Sequence, residues 1–255
     1  MEVRISDSYE AMSAAAARVV FDLVNTKPDA VLGMATGSTP LGLYQELVRL
    51  HREEGLDFAQ VTTFNLDEYV GLRSDDPHSY HHFMHEHFFR HVNIPDANTY
   101  IPSGTTVNHE AFCAWYEERI GERGGIDMQI LGIGSDGHIA FNEPGSSLRS
   151  RTRLKTLARQ TIEDNARFFD RVEDVPVYAI TMGVGTILEA QHVLLLANGA
   201  AKSSAVARAI EGPITSMITA SALQLHPSVR VFLDRAAASE LQMQDYWEWV
   251  EEHRP

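Results

Sequence analysis

The chain has a single cysteine, Cys113, among 255 residues, which excludes an intramolecular disulfide and points to a reducing, cytoplasmic setting. It has no run of about 18 uncharged apolar residues of the kind a membrane-spanning helix needs. The longest apolar candidate, 192–197, is only one strand long. The opening MEVRISDSYEAM lacks the basic start and apolar segment of a secretion signal. Positive charge is scarce: 21 Lys and Arg stand against 35 Asp and Glu, a net charge of −14. Such a balance repels phosphodiester backbones and anionic lipid, so neither nucleic acid nor membrane is an expected partner. There is no internal repeat and no Pro-, Gly- or Ser-rich linker, so one domain over residues 1–255 is expected.

Short apolar runs rich in branched residues recur at 30–34, 61–66, 128–133, 177–182, 192–197 and 229–233. They read as buried strands. Amphipathic stretches at 9–26, 40–54, 79–91, 108–123, 161–171, 201–211 and 239–252 read as helices. The alternation predicts an α/β fold: an open, mostly parallel sheet with helices on both faces, Rossmann-like in layout. Ligands of such sheets sit beyond the carboxyl ends of the strands, so the residues just after each apolar run are the ones to search.

After the first run comes Ala35-Thr36-Gly37-Ser38-Thr39-Pro40-Leu41-Gly42. Thr39 suits an N-cap and Pro40 a first helical position, so a helix is expected to start at Thr39 with free N–H groups aimed at an anion. A capped turn without a ligand has the same pattern. The Walker A pattern is not met, because Leu43-Tyr44 stands where Lys-Ser/Thr belongs. At 64–71, Asp67 and Glu68 follow directly on a buried run. An acid there is open to desolvation, which raises a carboxylate toward the range of a general base; a solvated turn or a helix cap is the plainer reading.

Residues 132–146 carry a formal G-x-G-x-x-G at Gly132, Gly134 and Gly137, but Pro144 and Gly145 leave no room for the helix of a dinucleotide fingerprint. No cofactor is expected. Asp136, His138 and Glu143 remain, an imidazole flanked by acids and suited to proton transfer near neutral pH. A tight turn with an exposed histidine would carry the same residues. No third metal ligand has convincing spacing, and no metal is expected. Arg149, Arg151, Arg153 and Lys155 alternate, so an extended segment would turn all four to one side, toward an anion or toward neighbouring acids. The run His78, His81, His82, His85, His87 and His91 lacks H-E-x-x-H and reads as the polar side of a helix with Tyr80, Phe83, Met84 and Phe88 inward. Arg167 lies in a helix pattern, and Lys202, following the run 192–197 through Asn198-Gly199, stands where it can reach an anion at the strand ends.

Taken together, the stretches 35–40, 63–72, 134–144, 150–157, 181–186 and 223–227 resemble the glucosamine-6-phosphate deaminase family. The eleven residues Gly134 to Pro144 are the most specific of them. The resemblance implies a single catalytic domain converting glucosamine 6-phosphate and water to fructose 6-phosphate and ammonia, without a cofactor, in the catabolism of N-acetylglucosamine. It implies Asp67 as the base at C2, His138 as the ring-opening group with Asp136 and Glu143 in support, and Gly37, Ser38, Thr39, Arg167 and Lys202 as holders of the substrate phosphate. Hexameric members carry an allosteric site for N-acetylglucosamine 6-phosphate, and Ser146, Arg153, Lys155 and Thr156 match its phosphate-binding residues. The regulatory tyrosine of those members has no clear match, Tyr246 being only nearby, and some shorter members are monomeric and unregulated. A sugar-phosphate lactonase of the same fold and a non-catalytic sugar-phosphate sensor are the alternatives. The lactonase needs no C2 base, and the sensor reading has no basic helix-turn-helix to support it.

Overall fold

Strands and helices alternate along most of the chain. The structure, a computed structural model, describes residues 1–254. Its strands are β1 (Glu2–Ser6), β2 (Val31–Met34), β3 (Thr62–Asn65), β4 (Asp67–Tyr69), β5 (Thr99–Tyr100), β6 (Met128–Leu131), β7 (Arg153–Thr156), β8 (Tyr178–Thr181), β9 (His192–Ala197) and β10 (Val229–Asp234). The helices are α1 (Tyr9–Thr26), α2 (Leu41–Glu54), α3 (Tyr80–His87), α4 (His109–Glu122), α5 (Arg159–Asn165), α6 (Val184–Leu188), α7 (Ser203–Ile210) and α8 (Gln244–Glu252). None of the helices among the described residues is long and apolar enough to cross a membrane.

Seven strands form one sheet in the order β1-β10-β9-β6-β2-β3-β5, with every pairing parallel. Every residue of β2, β3 and β6 is buried, as expected of a parallel sheet covered on both faces. The Ala-rich α1 starts at Ser8, whose Oγ accepts the Ala11 N–H at 3.2 Å. It buries Met12, Ala16, Val20 and Val24, a stripe of i, i+4 spacing, and packs against α2 and β10. The expected α/β architecture with a parallel sheet and flanking helices is therefore the observed one.

The run 177–182 departs from that expectation. Its strand, β8, lies not in the large sheet but at the centre of a second, three-stranded antiparallel sheet, β4-β8-β7. An apolar run shows that a strand is buried but not in which sheet. Its partners gave little signal, because β4 has three residues and β7 alternates half-buried with exposed ones. The chain crosses between the sheets at Leu66. The Leu66 N–H donates to the Met34 carbonyl of the large sheet at 3.0 Å, and the Leu66 carbonyl accepts the Met182 N–H next to the small sheet at 2.7 Å. Asp67 is thus the first residue of the second sheet, at the carboxyl end of β3.

Candidate active site

A cavity of about 430 Å³ opens at this crossing point, beyond the carboxyl ends of β2, β3 and β6. Gly37, Ser38, Thr39, Asp67, His138, Arg167 and Lys202 all line it. The structure thus brings together segments more than 160 residues apart in the chain. Asp136 and Glu143 do not line the cavity; they approach the His138 ring instead.

The loop at 35–42 differs from the expected one. The helix starts at Leu41, with Pro40 as its N-cap and no side-chain cap. The Thr39 hydroxyl instead donates to Asn198 Oδ1 at 2.8 Å, tying the loop to the segment before Lys202. The N–H groups of the first turn are not all free, since the Gly42 N–H donates to the Tyr9 hydroxyl at 2.7 Å. That hydroxyl in turn reaches the Ser38 and Thr39 carbonyls at 3.1 and 3.0 Å. Tyr9, some thirty residues away and unmarked by any motif, therefore fixes the shape of the loop. Gly37 takes φ +102°, a conformation that glycine adopts without a Cβ penalty.

Across the cavity, Lys202 follows Asn198-Gly199. The Gly199 N–H donates to both carboxylate oxygens of Asp234 at 3.0 Å. Burial lowers the Lys202 ammonium below its usual range, and the nearby Arg167 guanidinium acts in the same direction, while Asp164 and Asp136 oppose it. Two close cations and a hydroxyl-bearing loop suit a dianion. Asp164 also lines the cavity and is held by Ser135 Oγ at 2.8 Å and Gln160 Nε2 at 2.9 Å.

At the other end, Asp67 is only 6% exposed. Burial pushes its carboxyl up to about 8, with the Glu68 carboxylate next to it adding to the effect. Asp136 Oδ1 accepts the His138 backbone N–H at 3.0 Å and lies 2.7 Å from His138 Nδ1. Burial alone would raise Asp136, but the imidazole beside it holds the carboxyl below its usual range. Glu143, 4% exposed, accepts the Ala158 N–H at 3.0 Å through Oε1 and turns Oε2 to within 3.8 Å of the same Nδ1. Both acids approach the Nδ1 side of the ring, Asp136 at 2.7 Å and Glu143 at 3.8 Å, which leaves Nε2 as the nitrogen away from them. Gly134 makes room for the ring: a Cβ there would sit 2.3 Å from His138 Cε1.

One atom from each of Asp136, His138 and Glu143 falls within 4.8 Å of the others, so Glu143 supplies the third donor that chain spacing did not show. Asp136 Oδ1 and His138 Nδ1 stand 2.7 Å apart, the distance of a close ion pair. Two ligands of a tetrahedral zinc, each about 2.0 Å from it, stand more than about 3 Å apart. The geometry therefore suits proton transfer better than ion binding.

The histidine run corrects another expectation. Met84 and, just past the helix, Phe88 are buried as expected, whereas Tyr80, Phe83 and His87 turn to the cavity. His78 also lines it, stacked on Phe169 with ring centroids 4.6 Å apart. The basic stripe is broken as well. The Ser150 N–H closes a turn onto the Ser147 carbonyl at 3.0 Å, and Arg151 pairs with Glu117 and Glu189, each at 2.6 Å. Arg153 and Lys155 alone share a face of β7, and alternation turns Thr156 to the other. Ser146 is buried.

Residues 6–232 match the family described as glucosamine-6-phosphate isomerases/6-phosphogluconolactonase. A glucosamine-6-phosphate deaminase of an Arthrobacter species is 49% identical over 255 residues, 100% of this chain and 98% of the relative. Glucosamine-6-phosphate deaminase 1 of Bacillus subtilis is 49% identical over 239 residues, 94% of this chain and 99% of the relative. Among solved structures, that of a monomeric glucosamine-6-phosphate deaminase is 49% identical and superposes with a TM-score of 0.93, covering 94% of this chain and 100% of that one. A 6-phosphogluconolactonase from Trypanosoma brucei, 22% identical with a TM-score of 0.73 over 94% of this chain and 98% of that one, shares the fold. The chain belongs to the glucosamine-6-phosphate isomerase/6-phosphogluconolactonase family.

Proposed function

We propose that the chain, acting as one catalytic domain, converts glucosamine 6-phosphate and water to fructose 6-phosphate and ammonia, with no cofactor. The observation that carries this reading is a buried base, Asp67, sharing one cavity with an acid-flanked imidazole and a cationic pocket. The Gly37–Thr39 loop, Arg167 and Lys202 hold the phosphate, which sets the sugar across the cavity toward Asp67. His138, kept in one tautomer by Asp136 and Glu143, moves the proton between the ring oxygen and O1 as the sugar opens. Asp67 then takes the C2 proton, leaving an enolamine, and returns a proton at C1 to give an imine at C2. Water adds to that imine and ammonia departs.

A lactonase needs hydrolysis at an acyl carbon and has no use for a desolvated carbon base, so the raised Asp67 favours the deaminase. The test is to supply purified protein with glucosamine 6-phosphate, without metal or nucleotide. Equal release of ammonia and fructose 6-phosphate is expected. Hydrolysis of 6-phosphogluconolactone with neither product released would favour the lactonase, and tight binding without turnover the sensor.

The hexamer and its activator draw less support. Ser146 is buried, and Arg153 and Thr156 face opposite ways on β7. Tyr246 lies on α8, which packs on β1 at the far edge of the large sheet. A relative 49% identical is monomeric. We therefore propose catalysis by a single chain in the cytosol, with a substrate saturation curve unmoved by N-acetylglucosamine 6-phosphate. A sigmoid curve that this compound makes hyperbolic would restore the allosteric reading.

A further inference from the structure

Glu68 is the most deeply buried acid of the site and has no part in the chemistry above. It is 1% exposed, yet its carboxylate accepts the Tyr69 N–H at 2.8 Å, the Tyr80 N–H at 2.9 and 3.0 Å through its two oxygens, and the His81 N–H at 3.1 Å. Tyr80 and His81 are the first two residues of α3, and the third N–H, of His82, donates to Ser79 Oγ at 3.0 Å. An acid from a strand thus joins Ser79 in capping this helix, where the peptide dipoles favour a negative charge. The helix so held is a wall of the cavity: Tyr80, Phe83 and His87, at i, i+3 and i+7, line it on one stripe.

We propose that Glu68 is a positioning residue of the active site: one buried carboxylate fastens the wall helix α3 to the strand that carries Asp67, and so sets the distance between the base and the opposite face of the sugar. The inference rests on the deaminase reading. A second consequence follows from adjacency. A negative charge held one residue from Asp67 disfavours ionisation of Asp67 and makes it a stronger base once ionised. The groups close enough to act on Asp67 electrostatically are Glu68, the next residue of β4, Tyr69, Tyr80 and, from α4, Tyr116; His138 lines the same cavity. Asp76 is the other acid facing Glu68. Burial pushes Glu68 up to about 7, against the pull of the three N–H groups, so much of it carries charge at the alkaline pH where Asp67 ionises.

Two substitutions separate fastening from charge. Glu68→Gln removes the charge and sets an amide N–H against the helix N–H groups. The acid limb of its kcat/KM profile is expected to move down by about one pH unit, with KM raised about tenfold. Glu68→Asp keeps the charge but shortens the reach, so its limb stays put while KM rises by a similar factor. A merely structural role would lower kcat in proportion to folded protein and move neither the limb nor KM. An unmoved limb in folded Glu68→Gln, or an unmoved KM in Glu68→Asp, overturns the proposal. Should Glu68→Gln fail to fold, the KM of Glu68→Asp decides alone. A wild-type protein that releases no ammonia would overturn the deaminase reading and this inference with it, whereas an active wild type with an unmoved limb or KM in the variants overturns this inference alone.

Discussion

The two sheets divide the work of the molecule unequally. In the seven-stranded parallel sheet β2, β3 and β6 are buried at every residue, and the sheet contributes loops at its carboxyl ends. The three-stranded antiparallel sheet is short and exposed mainly along its edge strand β7, while its buried strand β4 carries Asp67 and Glu68. The large sheet can hide its apolar strands on both faces and so fixes positions. The small one stands where buried acids meet a cavity, which is poor for stability and useful for chemistry. Damage to the first is expected to appear as lost folding, and damage to the second as lost turnover.

The largest effect expected on the chemical side is that of Asp67→Asn: kcat lowered at least about 100-fold with KM nearly unchanged, read from steady-state kinetics. The same substitution should stabilise the fold. Because the folded-state value of Asp67 is raised to about 8, its burial opposes folding increasingly as pH rises from the ordinary carboxylate range toward 8, and not at all in acid. The melting temperature of Asp67→Asn should therefore exceed that of the parent by a margin that grows between about pH 4 and pH 8. A margin that shrank over that range would mean that Asp67 is not strained in the folded state.

Next in size is Lys202→Ala: if Lys202 holds the substrate phosphate as proposed, losing that charge-assisted contact should raise KM about 10- to 100-fold with a smaller change in kcat. On the scaffold side, Gly33→Ala would set a Cβ 2.1 Å from Gln129 Oε1. It should cost about 1–3 kcal/mol of stability in denaturant unfolding, while kcat per folded molecule stays at the wild-type value. A kcat that fell with stability would erase the contrast between the sheets. The gentlest test is pH: kcat/KM should fall about tenfold per unit below about pH 8, as the free enzyme protonates Asp67.

How much of this was legible beforehand follows from where the information lay. The 35–42, 64–71 and 132–146 stretches announced themselves because each strand, its turn and its polar residues are contiguous, and all three do meet at one cavity. Five strands of the large sheet were legible for the same reason, through apolar runs; its edge strands β1 and β5, outside any such run, were not. The second sheet was not, because a three-residue strand and a strand exposed on alternate residues carry almost no periodic signal. Tyr9, Asn198, Asp234 and the capping role of Glu68 were hidden more deeply. Each acts on a backbone group or side chain brought near only by folding, and Tyr9 reaches across 29 residues to the Ser38 carbonyl. The start of α2 was misplaced because Thr39 looks like a cap in isolation, whereas its hydroxyl is drawn off to Asn198.

The central claim is that Asp67 removes the C2 proton of the opened sugar. It is tested most directly by following the C2 hydrogen of glucosamine 6-phosphate by NMR in single turnover, with wild-type protein and with Asp67→Asn at equal occupancy. The account predicts that the signal disappears from the wild-type reaction in step with ammonia release, and at least about 100-fold more slowly with the variant. Loss of the C2 hydrogen at the wild-type rate in Asp67→Asn would contradict it, and would move the base elsewhere in the cavity.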